Sequence, residues 1–169
     1  FENEDGLLEK LPGWIFVEWS KANSLVQDVN YPTNMLWASA LDAVAHIYDM
    51  PEFSNKANAI RDKIREQSFD GMWFHDCAKR GEDGKLVLDK NCTETCQYYA
   101  FYFHTATPET HENLWEILLE DFGPDRGQTG KFKEIWPSNA FIGNYLRLEL
   151  ISRKGLRNKI IEESKGFFK

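Results

Sequence analysis

The sequence predicts an all-α fold, αα-hairpins forming part of an (α/α)6 toroid, with a short β-hairpin or loop insertion near residues 70–90. Two observations carry this. Apolar residues recur at helical spacing over most of the chain beyond residue 31, in segments that pair through joints of very different length. No repeat of fixed period links the pairs, which sets a tetratricopeptide- or HEAT-like solenoid aside and favours hairpins whose loops build a cleft at one end. About three hairpins are visible where a closed barrel needs six, so residues 1–169 read as a single partial domain.

Residues 1–29 are irregular, punctuated by Gly6, Pro12 and Gly13. Pro32 opens a helix whose expected buried face is Leu36, Trp37, Ala40, Leu41, Val44 and Ile47. Pro51 is placed as the first residue of the next helix, with Phe53, Ala57, Ile60 and Ile64 as its inward stripe. The short connection makes these two an αα-hairpin. Gly71–Phe74 and Lys85–Leu88 flank a turn-rich stretch and read as the insertion. A third helix covers about Glu94 to His104. A fourth starts with Thr107 as cap and Pro108 at its first position, and Gly123 stops it. After a polar loop over 124–137, Ser138 caps a fifth helix carrying Phe141, Ile142, Tyr145, Leu146, Glu149 and Leu150. Gly155 ends it, and a last helical segment begins near Leu156.

Composition narrows the function classes. The 169 residues are 42% hydrophobic and 28% charged, enough to bury one core and unlike a disordered chain. A net charge of -7 repels phosphate backbones and argues against a nucleic-acid partner. No apolar run approaches the roughly 20 residues of a membrane helix. Cys77, Cys92 and Cys96 are too few and too odd in number for a disulfide framework, and without a histidine cluster they are read as buried free thiols rather than a metal site. No cofactor motif is present. The start, Phe1–Gly6, has no initiator Met and no leader pattern, and the end carries Phe167 and Phe168, so a longer parent chain is expected, with apolar barrel edges at which self-association occurs.

Three stretches stand out. Leu11–Ser20 sets Glu18 among Trp14, Phe16 and Trp19. Apolar surroundings raise a carboxyl pKa, as a general acid needs, and indole faces stack on sugar rings; a Trp-rich core plug with an exposed Glu fits the same residues. Asn91–Tyr99 places polar groups at a helix start, where ordinary capping by Thr93 or Asn91 explains them as well as a ligand does. Lys133–Arg147 leads through Glu134, Trp136 and Asn139 into a helix containing Gly143. That glycine costs roughly 1 kcal/mol against Ala and points to a close approach.

In order and spacing these stretches resemble the catalytic domain of α-L-rhamnosidases. Gly13–Trp19 looks like the family's Trp-x-Phe-x-Asp-Trp stretch, Thr93–Gln97 like its polar entry to a barrel helix, and Trp136–Gly143 with the following Tyr-Leu-Arg-Leu-Glu like a third family segment. The resemblance implies a six-hairpin α/α barrel that hydrolyses terminal α-L-rhamnosides with inversion, a rhamnoside-containing glycan as partner, and a periplasmic or extracytoplasmic location. Carried over residue by residue, it gives substrate-binding roles to Trp14 and Trp19 as stacking surfaces, to Glu18 where the family usually has Asp, and to Trp136 near the subsite rim. The family's general acid, in an Arg-Asp-Glu-Arg-like run, and its base, in a Thr-Leu-Trp-Glu-like run, have no counterpart in this sequence, so no catalytic residue is assigned and the isolated chain is expected to be inactive. A helical carbohydrate-binding or scaffolding module, or another α/α-barrel carbohydrate-active enzyme, is the alternative.

Overall fold

A computed structural model of the chain describes residues 1–139 and 141–167. Ala140, Phe168, Lys169 and the side chain of Phe167 lie outside the described residues, so the packing expected of the terminal Phe pair does too. The fold is mostly helical with small sheets. After a short 3-10 turn over Lys21–Leu25, the elements are β1 (Val29–Asn30), α1 (Tyr31–Tyr48), α2 (Pro51–Ser68), β2 (Cys77–Arg80), β3 (Leu86–Leu88), β4 (Cys92–Thr93), α3 (Glu94–Tyr102), α4 (Glu112–Glu120), α5 (Arg126–Thr129), β5 (Ile135–Trp136), α6 (Ile142–Arg153) and α7 (Arg157–Phe167).

Asn30 caps α1. Its side-chain oxygen accepts from Thr33 N at 3.0 Å and from the Thr33 hydroxyl at 2.6 Å, and Pro32 sits in the first turn. Asp49, in the left-handed region at φ 54°, closes the helix, and Pro51 opens α2 directly after it. The two pack as the expected hairpin. The inward stripe of α2 is Ala57, Ile60 and Ile64, with Phe53 half-buried. The expected face of α1 requires correction. Trp37 and Leu41 pack half-buried against the core as expected, but Met35, Ala38 and Ala45 are the buried residues, while Leu36, Ala40 and Ile47 are exposed. Apolar residues occur all round this helix, and Asn34 decides its rotation: both of its polar side-chain atoms bind the backbone of Leu8, at 2.7 and 3.1 Å, which turns that side inward.

The insertion is a hairpin, but its first arm is Cys77–Arg80 rather than Gly71–Phe74. Ala78 pairs with Leu88, and β1 adds a third antiparallel strand with Asn30 opposite Cys77. A second, parallel pair sets Cys92 against Ile135 and Thr93 against Trp136, so the long loop before α6 is stitched to the start of α3. Helix α4 begins at Glu112, not at Thr107. Backbone and hydroxyl bonds between Thr107 and Thr110 close a separate turn first. Helix α6 begins at Ile142 with no side-chain cap, so Ser138 does not cap it; the Ser138 N–H donates instead to Glu94. Phe141 and Tyr145 face outward, and Arg147, with Leu146 and Leu150, takes the inner side. Helix α3 packs on α6 and α1, and α6 on α7. All three cysteines are free and buried, and among the described residues no helix is long and apolar enough to cross a membrane.

Asp76 joins these parts. Its carbonyl accepts from Tyr31 N at 3.0 Å, and its carboxyl accepts from the Thr93 N–H and hydroxyl, each at 2.8 Å. Burial pushes that carboxyl up to about 7, against the lowering effect of the Thr93 bonds. In an unfolded chain it titrates near ~4, so between about pH 4 and 7 the folded protein keeps a proton the unfolded chain has lost, and stability falls as pH rises through that window. Glu9, hydrogen-bonded by Arg80, and Asp89, held by Lys79 and Asn91 against the effect of burial, are both lowered to about 2. They contribute stability above about pH 4 that is lost as pH falls toward 2. Asp76→Asn retains an acceptor for the Thr93 N–H and offers its NH2 to the Thr93 hydroxyl. Urea titrations are expected to show a flatter fall in unfolding free energy between about pH 4.5 and 7.5 in this variant; an unchanged slope would exclude Asp76 as its source.

Candidate functional site

Residues 14–19 run without regular structure, and their side chains divide sharply. Val17 and Glu18 point into the protein at 1% and 0% exposure, whereas Trp14 and Trp19 stand 70% and 58% exposed. Trp14, Phe16 and Trp19 form a triangle of rings with centroids 5.0–5.7 Å apart, in edge-on and tilted contacts. The backbone beneath is tied down on both sides of Val17: its N–H donates to Asn23 Oδ1 at 3.1 Å and its carbonyl accepts from the Tyr99 hydroxyl at 3.2 Å. Burial, with the Glu18 charge adding to it, pushes the Tyr99 hydroxyl up to about 12, so it stays a donor at any physiological pH.

Glu18 gathers the three stretches singled out in the sequence. Oε2 accepts from the Thr95 hydroxyl at 2.6 Å and from the Asn139 N–H at 3.1 Å, and Oε1 accepts from the Gly143 N–H at the head of α6. Among the described residues no Lys or Arg forms an ion pair with it. Its charge is met by hydrogen-bond donors and by the positive end of α6. The Asn139 amide then donates to the Trp19 carbonyl at 2.5 Å. Gly143 is explained by the same contact: a Cβ there would lie 2.6 Å from Glu18 Oε1 and 2.5 Å from Ser138 Cβ.

A second buried carboxylate lies one residue before Thr95. Glu94 Oε1 accepts from Arg126 Nη1 at 2.7 Å, and Oε2 accepts from Ser138 N at 3.0 Å. Arg126 also donates to the carbonyls of Phe132 and Ile135. Sequence reading missed this pair, 32 positions apart; the one signal was a lone arginine inside a Gly-rich loop. Together the two glutamates tie Ile135, Ser138, Asn139 and Gly143 to the start of α3, Ile135 by way of Arg126. That places Trp136, 46% exposed, with its ring N–H donating to Asn91 Oδ1 at 3.3 Å and with the Lys21 ammonium 5.4 Å above the ring.

The structure thus presents Trp14, Trp19 and Trp136 to solvent, and encloses Glu18. A cavity of about 430 Å3 opens beside Trp14, between residues 8–15, the segment 23–28 and the first turn of α1; Trp19, Glu18 and Trp136 do not line it. Glu134 is exposed in the loop before Trp136. Among the described residues, no group of His, Cys, Asp and Glu is arranged to hold a metal ion.

No family model matches the chain, and no curated protein sequence does either. Among solved structures it is similar to the crystal structure of a GH78 family rhamnosidase of Bacillus sp. GL1, with a TM-score of 0.71 and 16% sequence identity over 95% of this chain. The chain spans 16% of the length of that protein. At this identity the likeness shows a shared fold: these helices and small sheets are arranged as in one stretch of a glycoside hydrolase.

Two substitutions test the anchor. Gly143→Ala is expected to destabilise the protein by about 1–3 kcal/mol through overpacking against Glu18 and Ser138. Glu18→Gln turns an NH2 toward a backbone N–H in either amide orientation, that of Gly143 or that of Asn139, at a similar cost of about 1–3 kcal/mol. Denaturant titration of each variant reads both effects, and a change below about 0.5 kcal/mol in Glu18→Gln would mean that the carboxylate is not the anchor.

Proposed function

We propose that this chain is part of the catalytic domain of a rhamnosidase-like glycoside hydrolase, one that removes terminal α-L-rhamnosyl units with inversion. Its contribution is the sugar-binding rim formed by Trp14, Trp19 and Trp136, with Glu18 acting through the backbone that it holds in place. The observation that carries this reading is the set of three exposed indoles mounted on buried carboxylates, in a chain that shares its fold with a glycoside hydrolase. Indole faces match the C–H face of a pyranose, and a rim fixed from below loses little freedom when it binds.

Inversion requires a general acid and a general base about 6.5–9.5 Å apart, leaving room for a water. The family's acid-bearing and base-bearing runs do not occur in this sequence, so both groups are assigned to other parts of the parent protein. The second reading, a helical carbohydrate-binding module without chemistry, is favoured by the same rings, because the carboxylate beneath them is enclosed. The exposed Leu36, Ile47 and Tyr48 of α1 belong to this proposal as a surface for self-association of the isolated chain. Light scattering that finds only monomer at high concentration would overturn that part.

Hydrolysis of p-nitrophenyl α-L-rhamnoside by the 169-residue chain and by its full-length parent separates the readings. Turnover is expected in the parent and not in the chain alone. Trp19→Ala and Trp136→Ala in the parent are expected to raise KM about 3- to 10-fold, the value of a lost ring contact, with a smaller effect on kcat. No activity in the parent would remove the rhamnosidase assignment. Turnover by the chain itself would place the catalytic carboxylates within these residues, with Glu18 and Glu134 the first to be substituted.

A further inference from the structure

The cavity beside Trp14 has no role in the rim just described, although Trp14 belongs to both. Its volume of about 430 Å3 falls within the range of small-molecule sites. The polar groups lining it divide into two sets. Asn30 and Asn34 are committed to structure: Asn30 caps α1 and Asn34 binds both the N–H and the carbonyl of Leu8. The others keep free valence. Asn23 accepts from Val17 N through Oδ1, but its NH2 makes no hydrogen bond to a described residue. Asp28 accepts from Arg80 N through Oδ2 at 2.7 Å, which leaves Oδ1 open. Gln27 is exposed and hydrogen-bonds only through its backbone, and the Lys10 ammonium donates to no described residue.

The residues lining this space therefore include a tryptophan, two side-chain amide NH2 groups and a carboxylate oxygen that make no hydrogen bond to a described residue, and a lysine whose charge acts on Glu9. An apolar ligand would strip water from these polar groups and leave them unpaired. A phosphorylated ligand would meet Asp28 and a protein of net charge -7. A neutral pyranose fits both sets: its C–H face takes the indole, and its hydroxyl groups both donate and accept. The ring centroids of Trp14 and Trp19 are 5.7 Å apart, so the cavity opens directly next to the rim.

We propose that the cavity formed by Lys10, Trp14, Asn23, Gln27 and Asp28 is a second subsite, which binds the neutral sugar unit adjacent to the one stacked on the rim. This rests on the reading of the rim as a sugar-binding surface. It makes the site selective for a disaccharide over a single ring.

The test is nuclear magnetic resonance titration of the 169-residue chain with methyl α-L-rhamnopyranoside and with rutinose, a rhamnosyl-glucose disaccharide. The side-chain amide signals of Asn23 and Gln27 report the cavity, and the indole N–H signals of Trp19 and Trp136 report the rim. Rutinose is expected to shift all four and to bind about 10-fold tighter than the monosaccharide. Gln27→Ala, which removes no internal hydrogen bond, is expected to weaken rutinose about threefold or more while leaving the monosaccharide unchanged. Shifts confined to Trp19 and Trp136, with equal affinity for both sugars, would overturn the subsite and leave the rim intact. Shifts at Asn23 and Gln27 alone would overturn the rim, and with it the cavity's role as a second subsite beside the rim. No shift at either place with either sugar would overturn both.

Discussion

The arrangement of the exposed face depends on one buried carboxylate. Glu18 has no exposed surface and no cationic partner among the described residues, yet it sits where an extended segment, the first turn of α3 and the head of α6 meet. A buried charge is tolerated only where its lone pairs are met, and here a hydroxyl and two backbone N–H groups meet them. Hydrogen bonds to a charged group are each worth about 1.5–3 kcal/mol, and leaving the group unpaired costs more than that, so these three pieces of chain hold their positions together or not at all. The glycine at 143 follows from the same geometry, because any Cβ there would strike the carboxylate.

The loops after α4 are organised by charge to the same degree. Arg126 pairs with Glu94 and reaches the carbonyls of Phe132 and Ile135; Arg147 pairs with Glu163 and reaches the last-turn carbonyls of α4, Leu118 and Leu119. Both guanidinium groups are nearly or fully buried. A planar fork of donors satisfies a carboxylate and several backbone carbonyls at once, which a hydrophobic side chain cannot do where the backbone leaves regular structure. The irregular chain before α6 is thereby tied to the start of α3, and α6 to the end of α4.

Much of this was legible from residue order. The inward stripe of α2, the Thr93 cap, Pro51 at a helix start and the breaker Gly155 all act locally, within one or two turns, and local chemistry reads directly. The face of α1 read only in part, Trp37 and Leu41 packing against the core as expected, because apolar side chains surround that helix and periodicity cannot choose among them; a polar residue, Asn34, chose by binding a segment 26 positions earlier. Helix α6 misled in the opposite way. Phe141 and Tyr145 have the composition of a core but lie outside, since Arg147 and Asn144 occupy the inner side. The three stretches of the site could be found by composition, and Gly143 even announced a close approach. What approached it could not be read, because Glu18 and Gly143 are 125 positions apart and a sequence does not say which carboxylate is enclosed.

That division between enclosed carboxylate and exposed ring bears on what the surface is for. Large aromatic side chains left in water lose the burial that makes them stabilising, roughly 1.5–3 kcal/mol for a fully buried large apolar side chain. Val17 shows that this segment can point apolar groups inward, and Trp14 and Trp19 on either side of it point out. Packing within this chain does not account for rings placed there, although the backbone that carries them is fixed by buried hydrogen bonds. Residues that hold this backbone and residues that face solvent are different residues, so substitution of the first set acts on stability, and substitution of the second leaves the fold intact. In the proposed reading, such a surface meets a ligand with one apolar face and many hydroxyl groups, the rings taking the first and the amides beside Trp14 the second.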